Sequence, residues 1–291
     1  MREPYSAVMT GEVVLVTGAT GTVGRPLVAA LVAAGQQVRA GVRDLESAEF
    51  PPGVEVVRLD FLDPATAALA LVDVDRIFLM RPPAISDVRT ALGPLVQAAA
   101  HRRIQRAVVL SVMGVNPALP HWRMEHMVVA AGLPMTALRP SYFAQNLLTA
   151  FGEDIRLRSQ LPLACGNGRV SFIDTRDIAQ AAARIFTDLP SYRVGPVTLT
   201  GPEALTFEAV AALLSAELGR PVTYLRQSLW QRRRTLKAQA MAPPYINVQL
   251  VIDLTTRLGL ARKITDDLPR ILGRPAGTVA QFIHDHRTSW L

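Results

Sequence analysis

Apolar residues in this chain fall into two alternating patterns. Short, β-branched runs recur at residues 12–17 (EVVLVT), 37–42, 54–59, 74–79 and 106–112. Between them lie longer stretches with apolar positions at helical spacing, at 25–34, 64–71 and 86–101, then 124–131 before a further strand at 135–138. Runs that are apolar at nearly every position suit strands of a parallel sheet covered on both faces. Strands and helices alternating at this interval predict an α/β fold with a doubly wound parallel sheet. Right-handed crossovers then place helices on both faces.

After Pro140 the pattern changes. Gly166-Asn167-Gly168 is a turn signal ahead of a strand at 169–173. A helix follows at 175–186, with Asp174 or Thr175 as its cap, and a short strand at 197–199. From Thr206 onward the chain reads as mostly helical, broken at Gly219-Arg220-Pro221, Pro243-Pro244 and Gly273-Arg274-Pro275. Residues 1–142, with 171–199 returning to the sheet, are expected to form the sheet domain. Residues 143–170 and 200–291 are expected to form a smaller substrate-binding region and lid, over the carboxyl ends of the strands where open α/β sheets bind ligands.

Composition narrows the function. Of 291 residues 49% are hydrophobic and 19% charged, so the chain can bury a sizeable core and is not disordered. Its one cysteine, Cys165, excludes an intrachain disulfide and a four-cysteine zinc site. The five histidines show no HExxH spacing, and no metal site is expected. The net charge of +7 comes from 29 arginines against 2 lysines, a bias that fits a GC-rich genome. The only dense basic run, Arg232-Arg233-Arg234, reads as a solvated face, so no nucleic-acid partner is expected. Residues 1–10 hold no signal-peptide core and no eighteen-residue apolar run exists, so the expectation is a cytoplasmic protein without membrane contact, monomeric or homodimeric.

The chemistry begins at GATGTVG, residues 18–24, between the first strand and the first helix. Gly18 permits the tight turn, Gly21 lets backbone approach a pyrophosphate, and Gly24 allows close helix–strand packing. The helix beginning near Thr22 turns its unpaired N–H groups and positive dipole end toward the phosphates. At the end of the second strand, Arg43 suits a ribose 2′-phosphate, while Asp44 leaves the unphosphorylated dinucleotide open. NADP(H) is therefore preferred over NAD(H).

With these residues in view the chain resembles the NmrA-like branch of the atypical short-chain dehydrogenase/reductase superfamily, a Rossmann fold. The resemblance rests on TGATGTVG (17–24), VRAGVRD (38–44), the Asp60-Phe61 pair, EHMVVAAGLPMTALRPSYFAQNL (125–147), FIDTRDIA (172–179) and LTGPEALT (199–206). It implies that Gly18, Thr20, Gly21, Thr22, Val23 and Gly24 cradle the pyrophosphate and that Arg43 holds the 2′-phosphate. Asp60 and Phe61 would border the adenine, and Met80, Arg81 and Pro82 would lie along the ribose. Ser111 and Val112 would sit near the nicotinamide, with Pro140, Ser141, Tyr142 and Phe143 walling its other side. Met113 and Asn146 would face the substrate.

Conventional members of the superfamily use Tyr-x-x-x-Lys, in which the lysine lowers the tyrosine pKa for proton exchange with a carbonyl. None of the five tyrosines here has lysine four residues later, so that chemistry is excluded. His121 is the leading alternative proton donor, or else it caps the helix after Pro120. Tyr142 is the second candidate, and Ser111 can hydrogen-bond substrate. Glu125 is expected to be structural and paired with an arginine. Asp174, Arg176 and Asp177 read as a helix cap with a charge network. Cys165 has no activating neighbour and is no nucleophile. Trp230, Met241 and Tyr245 would supply apolar surface to the substrate region, or form part of an amphipathic helix.

Hydride transfer asks the protein mainly for orientation and electrostatics. The preferred reading is thus an NADPH-dependent oxidoreductase reducing a quinone, an enone or an aromatic, polyketide-like ketone, in bacterial secondary metabolism. The alternatives are a dinucleotide sensor without turnover, and a redox-neutral isomerase or cyclase that retains NADP.

Overall fold

In the computed structural model, which describes residues 12–46 and 48–291, the alternating pattern takes the expected form. Strand β1 (Val13–Thr17) runs through the glycine turn into α1 (Gly24–Ala33). It is followed by β2 (Gln37–Val42), β3 (Glu55–Arg58), α2 (Ala65–Ala70), β4 (Arg76–Met80), α3 (Val88–His101), β5 (Arg106–Leu110), α4 (Pro120–Ala130) and β6 (Met135–Pro140). Then come β7 (Tyr142–Phe143), α5 (Asn146–Thr149), a π-helical turn at Asp154–Arg158, β8 (Gln160–Leu163), β9 (Arg169–Ile173), α6 (Thr175–Thr187), β10 (Gly195–Leu199) and β11 (Ala204–Thr206). The chain closes with α7 (Phe207–Leu218), β12 (Thr223–Arg226), α8 (Leu229–Ala238), α9 (Pro243–Arg257), α10 (Asp267–Leu272) and α11 (Val279–Asp285).

Seven strands form one sheet in the order β10-β6-β5-β4-β1-β2-β3. The pairings among β1 to β5 are parallel, with Leu15 of β1 opposite Arg39 on one side and Ile77 on the other. The strand order reverses beside β1, so the glycine turn leaves the sheet at its switch point, where such sheets bind ligands.

Two compact units emerge. The first comprises Met1–Ser111, Val115–Ala137 and Ala182–Pro196, and the second Val112–Gly114, Leu138–Ala181 and Val197–Leu291. In the first, Leu15, Leu79, Leu92, Leu95, Val109 and Val128 are fully buried in one apolar cluster. Each such side chain contributes about 1.5–3 kcal/mol of burial. Three arginines close its lower edge. Arg39 donates to the Ala70 and Val72 carbonyls and pairs with Glu55. Arg76 donates to the Phe186 carbonyl and pairs with Glu12. Arg106 donates to Thr136 Oγ1 and the Tyr192 carbonyl, each at 2.9 Å. Helix C-termini leave carbonyls unsatisfied, and the guanidinium fork supplies several fixed donors at once. Part of the arginine bias therefore has a structural use.

The second unit has an aromatic core. Phe172 meets Tyr142 and Phe207 edge-on at 5.3 and 5.5 Å between centroids. Trp290, fully buried, donates from Nε1 to the Leu147 carbonyl at 3.1 Å and ties down the end of the chain. Two small sheets, β11-β9-β7 and β12-β8, belong to this part of the chain.

Several expectations need correction. Helix α4 begins at Pro120, four residues earlier than the apolar spacing indicated, because proline at the first helical position is compatible with a helix start. The strands β8 and β12, parallel partners of four residues each, fall in stretches not read as strands. The run Arg232-Arg233-Arg234 is not uniformly solvated. Arg232 is 3% exposed, lies over the Phe151 ring at 5.6 Å, and faces Asp253 with Nε 3.4 Å from Oδ2. No helix among the described residues is long and apolar enough to cross a membrane.

Candidate functional site

The glycine turn is built by backbone geometry. Gly18 adopts φ +60°, in the left-handed region. A Cβ there would lie 2.6 Å from Met80 Sδ, so Met80 packs directly on the turn. The Gly21 N–H donates to the Gly18 carbonyl at 2.9 Å. At Gly24 a Cβ would lie 2.1 Å from the Gly18 carbonyl oxygen, a distance no side chain can occupy. The Met80 N–H donates to Thr17 Oγ1 at 3.0 Å and locks the end of β4 to the end of β1.

This turn delivers the chain to α1, whose first residue is Gly24, between the start expected near Thr22 and the helical spacing from Arg25. The helix has no side-chain cap and no acidic residue in its first turn. Its leading N–H groups have no intrahelical acceptors, and its dipole favours an anion there. A cradle that excludes Cβ atoms and an uncapped helix start fit the pyrophosphate of a dinucleotide. Thr20 and Thr22 are exposed beside it, whereas Val23 is buried. Arg43 is exposed just past β2. Asp60 Oδ1 accepts from the Leu62 N–H and orders the loop after β3, where Phe61 packs against the first core.

Arg81 follows β4. Its Nη1 donates to the carbonyls of Pro82, Pro83 and Ile85 at 3.0, 3.1 and 2.6 Å, holding its own loop closed. The guanidinium is therefore engaged in shaping this loop, a role the resemblance did not imply. Its Nε is buried without a partner.

His121 lies in the first turn of α4, with Nδ1 buried and lacking a hydrogen-bond partner. Burial first, and then the Arg81 charge, lower its pKa from the ordinary 6.5 to about 4, with the Glu125 carboxylate opposing both. At neutral pH the imidazole is uncharged. One turn along, Glu125 is buried and accepts from Ser111 Oγ at 2.5 Å. A serine at the end of β5 is thus one partner of Glu125. The spacing of four between His121 and Glu125, which puts both on one helix face, was the available signal.

In the second unit, the Met113 N–H donates to the Pro140 carbonyl at 2.8 Å. Ser141 is buried, with its hydroxyl on the Ser171 carbonyl and its N–H on the Leu199 carbonyl. Tyr142 and Phe143 form β7 beside Phe172 and Ile173 of β9. The Asn146 side chain hydrogen-bonds the Tyr142 phenol, whose pKa burial pushes well above its ordinary value, with the Asp253 carboxylate adding to the effect. Val112 is half-buried. Trp230, Met241 and Tyr245 are exposed, Trp230 with the Arg234 guanidinium 4.8 Å above its ring.

The charged residues after β9 are structural. Asp174 Oδ1 accepts from Gln145 Nε2 and the Arg176 N–H, each at 2.8 Å, and Asp177 Oδ1 pairs with Arg274 at 2.6 Å. Burial raises the Cys165 thiol pKa far above its ordinary value, so it is not a nucleophile. A cluster that sequence reasoning missed lies beneath it. Asp253 accepts from the Ala164 N–H at 3.1 Å and from Cys165 Sγ at 3.5 Å while facing Arg232. Nothing in the spacing of these residues announces the pairing. No group of three or more metal-ligating side chains occurs among the described residues.

Known proteins agree with this arrangement. An NAD(P)H azoreductase of Xenophilus azovorans is 31% identical over 285 residues, covering 95% of this chain and 99% of that protein. Among solved structures, an NADPH-dependent quinone oxidoreductase of Escherichia coli superposes with a TM-score of 0.83 at 23% identity, covering 94% of this chain and 99% of that one. A triphenylmethane reductase of Citrobacter sp. gives 0.81 at 22% identity over 94% and 99%. The family model described as the NmrA-like family matches residues 10–254. With the Rossmann-type sheet and the glycine cradle, that match establishes that the chain belongs to the NmrA-like family.

Proposed function

We propose that this chain is an NADPH-dependent oxidoreductase that delivers hydride to a quinone, an enone or an aromatic, polyketide-like ketone, in bacterial secondary metabolism. The observation that carries the reading is the cradle of Gly18, Gly21 and Gly24 before an uncapped helix. Its kinship with a 31%-identical NAD(P)H azoreductase supports a reductase.

The residues divide the work. Gly18 to Gly24 and the α1 dipole bind the pyrophosphate. Arg43 takes the 2′-phosphate through a charge-assisted fork, while Asp60, Phe61 and Pro82 border the nucleoside. The bound dinucleotide supplies the hydride. Val112, Pro140 and Phe143 exclude water around the reacting ring, and Met113 and Asn146 face the acceptor. Ser111 commits its proton to Glu125, so its oxygen acts as an acceptor and a positioning group. Neutral His121 offers one N–H as hydrogen-bond donor to the oxygen being reduced. The final proton comes from water, which suits acceptors whose reduced form is a weak base.

Tyr142 cannot serve as an acid with a depressed pKa, because burial moves it the other way. The lowered His121 pKa and the raised Tyr142 pKa also favour a second reading, a dinucleotide sensor without turnover.

The test is NADPH oxidation, followed by nicotinamide absorbance, against naphthoquinones, enones, aryl ketones and an azo arene, for wild type and Arg43→Ala. We expect turnover with NADPH and a KM for NADPH raised about tenfold or more in the variant, as loss of a charge-assisted hydrogen bond predicts. NADH kinetics should change little. Tight NADPH binding with no turnover across the panel would leave the sensor reading.

A further inference from the structure

A cleft of about 470 Å³ opens between the end of β12 and the outer face of α8, within the size range of small-molecule sites. Leu225, Arg226 and Gln227 line it from the strand side, and Trp230, Gln231 and Arg234 from the helix. Trp230 and Arg234 stand four residues apart, so they share a helix face. The cleft lies within the second unit, and no step of the proposed reaction uses it. Trp230 is 64% exposed, and the Arg234 guanidinium lies 4.8 Å above its ring. An exposed indole is a stacking surface, and a guanidinium held against an aromatic face keeps its planar fork for a partner. Arg226 is paired with Glu208 at 3.0 Å. Arg234 has no carboxylate partner among the described residues, and none of the residues lining the cleft is acidic. The cleft thus holds one uncompensated positive charge. Thr235 Oγ1 donates to the Gln231 carbonyl at 3.2 Å, so toward Gln227 it can only accept, from Nε2 at 2.9 Å. That orients the Gln227 amide and leaves its Oε1 buried without a donor, although such groups ordinarily have one.

We infer that this cleft binds an aromatic carboxylate that carries a hydroxyl or amino donor. The ring stacks on Trp230, the carboxylate takes the Arg234 fork, and the donor meets Gln227 Oε1. Phosphate, another common partner of arginine, suits the cleft less well. It usually draws on free N–H groups at a helix start, and the capping box of α8 occupies two there. The Gln231 N–H donates to Ser228 Oγ at 3.2 Å, and the Ser228 N–H donates to Gln231 Oε1 at 2.8 Å. A carboxylate needs one planar fork and carries the single charge that Arg234 balances.

The experiment is an NMR titration of the full chain, isotope-labelled at tryptophan, with 6-hydroxy-2-naphthoate. Three indole N–H signals are expected. Trp230→Phe identifies its own, and buried Trp290 serves as the internal reference. Arg233 and Arg234 are both exposed, and Arg233 does not line the cleft. Circular dichroism verifies the fold of each variant. Wild type and Arg233→Gln should show a saturable shift of the Trp230 signal while that of Trp290 stays in place. Arg234→Gln with the naphthoate, and wild type with its methyl ester, should bind at least tenfold more weakly, as loss of a charge-assisted hydrogen bond predicts. Unsubstituted 2-naphthoate, which lacks the donor, should bind wild type about threefold or more weakly. No saturable shift at millimolar naphthoate overturns the inference. So does equal binding by the ester, by 2-naphthoate or by Arg234→Gln, and so does equal weakening by Arg233→Gln. Adenosine monophosphate that binds more tightly than the naphthoate overturns the choice of a carboxylate. NADPH turnover is read separately and does not enter these outcomes.

Discussion

His121 gives the structure a measurable pH signature. Its imidazole is half-buried beside Arg81, with a pKa of about 4 in the folded protein, against the ordinary 6.5 of an unfolded chain. Between these values the unfolded state binds the proton and the folded state does not. Stability is therefore highest above about pH 6.5, falls as the pH drops through the interval, and levels off below about pH 4. At pH 5 the full shift corresponds to about 2 kcal/mol less stability than at pH 7. Part of the ring remains in water, and discounting for solvent leaves roughly 1–1.5 kcal/mol. The perturbation is His121→Gln, which removes the titration and keeps a donor. Urea unfolding of both proteins at pH 7 and pH 5 reads the effect. Wild type should lose roughly 1–1.5 kcal/mol more than the variant over that step, and the comparison cancels the other titrating groups. Histidine NMR should place the His121 midpoint near 4. Equal losses in the two proteins, or a midpoint near 6.5, would refute the reasoning.

The buried pair in the second unit should be costly to break. Arg232→Ala strands the Asp253 carboxylate in a site that excludes water, and should cost about 3–5 kcal/mol by denaturant titration. Replacing the pair together, with Arg232→Met and Asp253→Leu, should recover most of that loss. Ser111→Ala removes a donor from buried Glu125, and should cost about 1–3 kcal/mol. If Ser111 also positions the acceptor, kcat should fall in this variant while NADPH affinity stays near wild type.

The sheet was readable in the sequence because its strands are short apolar runs ended by turn residues. The glycine turn was readable because close backbone approach admits no other residue at Gly24. What stayed hidden depends on partners far apart in the chain. Arg232 looks like its neighbours Arg233 and Arg234 until Asp253, on another helix, is seen facing it. The parallel pair β8 and β12 joins residues some sixty positions apart, and neither strand shows a long apolar run. Arg39, Arg76 and Arg106 belong to strands, and the carbonyls of Ala70, Phe186 and Tyr192 that they satisfy lie 31, 110 and 86 positions away. Glu125 was recognised as structural from its place in the family pattern, but its partner Ser111 was set by the register of α4 against β5. The start of α4 was missed because the apolar spacing begins only at Met124, although Pro120 marked it.

The central claim, that a dinucleotide pyrophosphate sits on the turn from Gly18 to Gly24, is tested most directly by calorimetric titration of NADPH into wild type and Gly24→Ala. The added methyl would lie 2.1 Å from the Gly18 carbonyl oxygen, and only backbone displacement relieves that contact, at about 1–3 kcal/mol. The account predicts tight, one-to-one binding by wild type and at least tenfold weaker binding by a variant that remains folded. Wild type that fails to bind NADPH, or a folded variant that binds it equally well, would contradict the account.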